Sequence, residues 1–368
     1  MLRYLGLGLL FVVLAACGGK SVTVFDEQNI PNQLSQWGVL ELNDGYLQLG
    51  EDVQPYDLNS GLFTDYAHKL RTVWLPNGER PTVKADGDTL DFPVGSIISK
   101  TFYYPKSDTV DSGDLIKIKD SQQFLSKRGL NLAKVRLVET RLLVHQPGGW
   151  QAISYVWDAE QTQAARELAG EFVQLKFAGK DQSPFTYVVP DQNQCAGCHV
   201  TDHASKQLQP IGLKIRHLDK PSTYEQGSQL MAILGEDRDQ NSPWVPALAQ
   251  WHNPKAQLSD RARGYLDINC GHCHNATGAA DTSGLLLDSS STKMRQLGVC
   301  KPPVAAGRGT GNRHYGIAPG DADQSIIIYR MRATKPGDKM PELGRTLVHT
   351  EGIELISEWI DSMPKGCT

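Results

Sequence analysis

Cys270-Gly271-His272-Cys273-His274 follows a stretch in which Ala262, Tyr265, Leu266 and Asn269 recur at helical spacing, with Ser259 placed to cap the helix start. Earlier in the chain, Cys195-Ala196-Gly197-Cys198-His199 repeats the pattern. Both read Cys-x-x-Cys-His, the attachment signal for c-type haem. Two intervening residues space the thiols so that each can form a thioether with one haem vinyl group, and the next histidine lies under the iron as proximal ligand. Two covalent haems are therefore expected, held by Cys195, Cys198, Cys270 and Cys273, with His199 and His274 on iron. The rival is one zinc site built from the two Cys-x-x-Cys pairs. Two intact five-residue matches on an exported chain argue against it.

Export is read from the beginning of the sequence. Arg3 precedes an apolar run, Leu5 to Ala16, that reaches about 18 Å as a helix, short of the ~30 Å hydrocarbon core, as in a signal peptide. The run ends Leu14-Ala15-Ala16-Cys17, which resembles the bacterial lipobox and implies a lipid on Cys17. By analogy, Gly18 favours the outer membrane over retention at the inner one, placing the chain on the periplasmic side of the envelope. That compartment is oxidising. With Cys17 acylated and four thiols on haem, Cys300 and Cys367 remain of the seven cysteines, and a disulfide between them is expected.

The 368 residues carry 37 Lys+Arg against 41 Asp+Glu, a formal charge of −4, which gives no bulk attraction to nucleic acid or anionic lipid. Thirty-five glycines and twenty prolines predict many turns and exclude coiled coil. After the signal peptide (1–16), residues 17–40 read as a polar tether. Residues 41–190 read as an antiparallel β-rich domain: Ile97 to Tyr104 is β-branched and aromatic, and Val135 to His145 and Trp150 to Trp157 flank the turn Gln146-Pro147-Gly148-Gly149. Nothing there has the spacing of a catalytic constellation. Residues 191–245 read as the first haem-binding segment and 255–368 as the second haem unit.

That second unit resembles a class I cytochrome c domain: a helix leading into Cys-x-x-Cys-His, then Met340-Pro341, then an amphipathic helix with Ile353, Ile356 and Ile360 on one side. The fold class expected is α+β, the β-rich domain followed by a haem-binding segment and an all-α cytochrome c-like domain. In that setting Met340 is the expected distal ligand of the second haem, ahead of Met331 and Met363. For the first haem the sixth position stays open between His217, Met231, His68 and an empty site; His203 lies too near the motif to reach over it.

Leu62-Phe63-Thr64-Asp65-Tyr66-Ala67-His68-Lys69-Leu70-Arg71, the Trp150 to Trp157 strand, Asn193 to His199, Asp267 to Asn275 and Met340 to Arg345 together resemble a family of exported bacterial two-haem c-type cytochromes of unassigned role. The resemblance implies electron transfer, supplies no substrate, and suggests a parallel β-helix protein as a partner. Three functions arise as expectations: a lipid-anchored electron carrier between unidentified redox proteins; a peroxidase-like two-haem enzyme with an open site at the first haem; or the electron-accepting subunit of a periplasmic dehydrogenase bound through the β domain.

Overall fold

The computed structural model describes residues 21–107, 114–118, 124–126, 128–179, 183–238, 241–305 and 307–367. Cys17 and its expected acylation lie outside the described residues. Fourteen strands occur among them: β1 (Leu40–Asn43), β2 (Tyr46–Leu49), β3 (Gln54–Tyr56), β4 (His68–Trp74), β5 (Thr82–Val83), β6 (Leu90–Asp91), β7 (Ile97–Pro105), β8 (Leu125–Ser126), β9 (Gly129–Asn131), β10 (Val135–Gln146), β11 (Gly149–Trp157), β12 (Ala164–Glu167), β13 (Glu171–Leu175) and β14 (Phe185–Val189). Six helices come after them: α1 (Gln192–His199), α2 (Ile215–Leu218), α3 (Gln229–Leu234), α4 (Leu258–Leu266), α5 (Ile326–Arg332) and α6 (Thr350–Asp361).

The centre is an antiparallel sheet in the order β12-β11-β10-β7-β4-β3. β10 and β11 form the expected hairpin, closed by Pro147-Gly148, with Gly149 at φ +120°, where a side chain would be strained. One face of the sheet buries Leu70, Ile97, Leu142, Val144, Ile153 and Tyr155 together with Leu34 and Trp37. Residues 30–39, within the expected tether, thus carry Ile30, Leu34, Trp37 and Val39 into a core. The other face turns toward the cysteine motifs. There Val73, Ile98, Leu143 and Ala152 pack against Cys195, Leu213, Ile215 and Ile268.

The C-terminal region corrects the expected fold class. It is not an all-α cytochrome c-like domain, because among the described residues its helices are few and scattered, and the structure is 21% helix against 26% strand. α4 has nine residues, α5 seven and α6 twelve, and turns and bends fill most of 272–325 and 333–349. The physical reason lies in the composition of those connections. Gly284, Gly298, Gly307, Gly311, Gly320, Gly337 and Gly344 all sit at positive φ, and prolines recur among them, so the chain between α4 and α6 turns repeatedly where a helix would have to continue. α4 also begins two residues earlier than expected, with Gln257 at its N-cap, leaving Ser259 inside. Cys300 and Cys367 are bonded, as expected, across a sequence separation of 67.

This region is fastened to the β-rich part by buried polar contacts. The Asp65 carboxylate accepts from the Thr346 amide (2.8 Å) and the Leu347 amide (2.6 Å), and the Phe63 amide donates to Asn269 (2.8 Å). No described helix is long and apolar enough to cross a membrane.

Candidate functional site

Three neighbouring strands build the floor of a cavity. Because side chains alternate faces along a strand, the register of β4, β7 and β10 determines which residues stand side by side. Arg71 pairs across to Lys100, Lys100 to Arg141, and Arg141 to Ser154 on β11. Two residues along, Val73, Ile98, Leu143 and Ala152 form a parallel apolar row. Three cations in direct cross-strand register repel one another, so the arrangement opposes its own folding unless anions meet it. Two of them have protein partners. Arg71 pairs with Asp57 at 3.2 Å. Arg141 grips the fully buried Glu139 through Nε (2.7 Å) and a terminal nitrogen (2.5 Å), and Tyr187 Oη donates to the same carboxylate at 2.6 Å. Lys100 has no carboxylate within ion-pair distance among the described residues. Desolvation, with Arg141 and Arg71 beside it, pulls its ammonium down to about 7.

The first motif closes one wall. Asp191, just past β14, caps α1 by accepting the Gln194 amide at 2.8 Å, while the Gln194 side chain accepts the Asp191 amide at 3.2 Å. This fixes where α1 starts and hence how Cys195, Cys198 and His199 meet the sheet. His199 Nδ1 lies 2.7 Å from the Gln209 carbonyl, which can only accept. Nδ1 therefore carries the proton, leaving Nε2 as the lone-pair nitrogen, the state an iron ligand needs. Desolvation and the charge of Lys100 lower His199 to about 3, so the ring is neutral.

The second motif approaches from the other side. α4 runs into a π-helical turn, Asp267–Gly271, that carries Cys270. Cys273 Sγ donates to the Gly197 carbonyl at 3.5 Å, and the His203 amide donates to the Thr277 carbonyl at 2.8 Å, so the two motifs touch. A Cβ at Gly197 would come within 2.9 Å of Leu343, a close approach that glycine permits. Burial pushes the Cys270 and Cys273 thiols up to about 12, leaving them protonated and poorly nucleophilic at neutral pH. His274 Nδ1 sits 3.3 Å from Ser283 Oγ. Arg330 joins His274 to the Met-Pro loop: burial first and then the Arg330 charge lower the His274 pKa, and the Arg330 carbonyl accepts the Met340 amide at 2.9 Å. Arg345 then clamps the loop through the carbonyls of Met340, Met331 and Ala333.

Together these elements line a cleft that is partly open to solvent. Its walls include Cys195, Cys198 and His199, the three cations, and Leu343 of the Met-Pro loop. None of the open candidates for the first haem lines it. His217 is buried with Nε2 2.8 Å from Asp267 Oδ2, and Met231 lies half exposed on α3. Burial works against the Asp267 carboxylate, but the His217 hydrogen bond and the Arg216 charge outweigh it and hold its pKa well below the usual range. His68 faces a separate cleft that also holds His349. Among the described residues no three His, Cys, Asp or Glu side chains gather to hold a metal ion, so the four-thiolate zinc arrangement is not formed.

Two features escaped the sequence reading. The cation row is one; its signal was a charged residue at an inward position of each of three otherwise apolar strands. His272 is the other. Read as a spacer between Cys270 and Cys273, it lines the first motif's cavity.

The residues fit a haem. An apolar wall suits the macrocycle, the cation row suits two propionates, and both cysteines and a correctly protonated imidazole lie on one side. No family model, curated protein or solved structure matches the chain.

Proposed function

We propose that this chain is a two-haem c-type cytochrome that carries electrons on the periplasmic side of the envelope, anchored through Cys17, as its resemblance to exported two-haem cytochromes implies. The observation that carries this reading is the contact between the two motifs, Cys273 Sγ against the Gly197 carbonyl. An electron relay needs its two centres to be neighbours, and these attachment sites are.

Bound haem supplies one-electron exchange between ferric and ferrous iron. The chain's own residues do the rest. Cys195 and Cys198 hold the first group and Cys270 and Cys273 the second, each through two sulfurs. The Gln209 carbonyl keeps the His199 proton on Nδ1 and orients the ring. Lys100, which has no carboxylate within ion-pair distance among the described residues, would receive a propionate, with Arg71 and Arg141 flanking it. Ile98, Leu143 and Leu213, which line the cleft, would keep water from the bound group. Met340, on the loop held by Arg345, would supply its sulfur to the second group's iron.

Holoprotein made in a host competent for c-type maturation tests this. After denaturation and acid-acetone extraction, the Soret absorbance stays with the polypeptide and the intact mass exceeds the mature chain by two porphyrins. Complete loss of the Soret band, or a single porphyrin mass, overturns the reading.

A further inference from the structure

We infer that His272 is the sixth ligand of the first haem, so that the spacer of one attachment motif coordinates the iron held by the other; this rests on the two-haem reading above. Among the described residues, only His199 and His272 bring an imidazole to the wall of the first motif's cavity. The two arrive from different elements, His199 at the end of α1 and His272 directly after the π-helical turn. That turn adds a residue to the helix and so rotates the residues beyond it by about 100°, which redirects the spacer.

The ring is also short of partners. Its Nδ1 is buried and lies near the Ile268 backbone without reaching hydrogen-bond geometry. A buried imidazole in that condition is costly unless something in the cavity engages it. The other candidates are accounted for: His217 is held by Asp267, His68 faces another cleft, and Met231 points to solvent. Met340, although its loop contributes Pro341, Leu343 and Gly344 to the wall, does not line the cavity itself.

The test uses full-length holoprotein and reads the iron, not turnover. Wild type gives low-spin ferric EPR from both haems. His272→Ala converts one of the two to high spin, and added imidazole restores the low-spin signal. His272→Met keeps that haem low-spin and about doubles the near-infrared sulfur-to-iron charge-transfer band that Met340 already gives in wild type, a gained signal that misfolding cannot mimic. His217→Ala and Met231→Leu leave the spectrum as it is. A high-spin haem already present in wild type, or two unaltered low-spin haems in His272→Ala, overturns the assignment. Mass spectrometry on the same samples counts porphyrins: two per chain with an unmoved spectrum refutes His272 alone, whereas fewer than two in wild type refutes the reading beneath it.

Discussion

The two cysteine motifs share five-residue chemistry and almost nothing else. The first hangs from the end of β14 on a short capped helix and faces a sheet whose contribution comes from strands far apart in the chain. The second follows α4, on and after a π-helical turn, amid glycine-rich connections that are drawn together by a disulfide and by one arginine, Arg345. The first site is thus shaped by cross-strand register and the second by local turns. Identical attachment chemistry can be given a charged, rigid setting or an irregular one, and the two should fail in different ways.

The largest contrast comes from the thiols. Cys195→Ala with Cys198→Ala removes one porphyrin mass and leaves the other, and Cys270→Ala with Cys273→Ala does the same at the second motif, both read by intact mass. Next come changes beneath each site. Arg141→Leu strands the carboxylate of Glu139 in the interior and lowers stability by about 3–5 kcal/mol, measured by urea unfolding. Losing the bridge through Cys300→Ser with Cys367→Ser lengthens the free chain of the unfolded state and costs about 4 kcal/mol in the same assay. If the Arg141 variant also lowers the yield of chains carrying a porphyrin at the second motif, the two settings are not independent.

Smaller effects sharpen the boundary between the regions. His349, stacked on Phe63 at 4.1 Å and bonded through Nδ1 to Tyr265 Oη at 3.0 Å, is lowered to about 4 by burial, against a rise from Glu351 and further lowering by Lys69 and Arg345. Its folded pKa lies below the unfolded one, so between pH 6.5 and 4 the unfolded chain binds the extra proton. Stability therefore falls as pH falls across that window, by roughly 3 kcal/mol at most from this residue. His349→Gln flattens that part of the pH profile, and thermal melts at pH 7 and pH 4.5 measure it. Smallest is Lys100→Met, which relieves like-charge repulsion in the sheet and raises the apoprotein's stability by about 1 kcal/mol. In holoprotein the same change shifts the first haem's potential, read by spectroelectrochemistry, and leaves the second where it was.

Legibility in the sequence tracks the range of the interaction. The β10–β11 hairpin and α6 rest on neighbouring residues, and their spacing announced them. The Cys300–Cys367 bridge came from counting thiols. Register between β4, β7 and β10 joins residues 71, 100 and 141, and no local pattern states that those three face one another. The all-α expectation for the C-terminal region fails because three helical segments do not make a complete domain when the glycines between them set most of its backbone. His272 was overlooked because the motif's spacing accounts for its position and says nothing of which way its ring turns.

The row Arg71–Lys100–Arg141 exists only once all three strands have found their partners. A chain in which β4 has not yet docked on β7 offers a carboxylate at most two of these charges, and one lacking β10 offers no Glu139 to steady them. On the proposed reading, the colour of a covalently tethered pigment then becomes a clock for the innermost pairing of the sheet. Stopped-flow absorbance during refolding would date the arrival of each strand without any label being introduced.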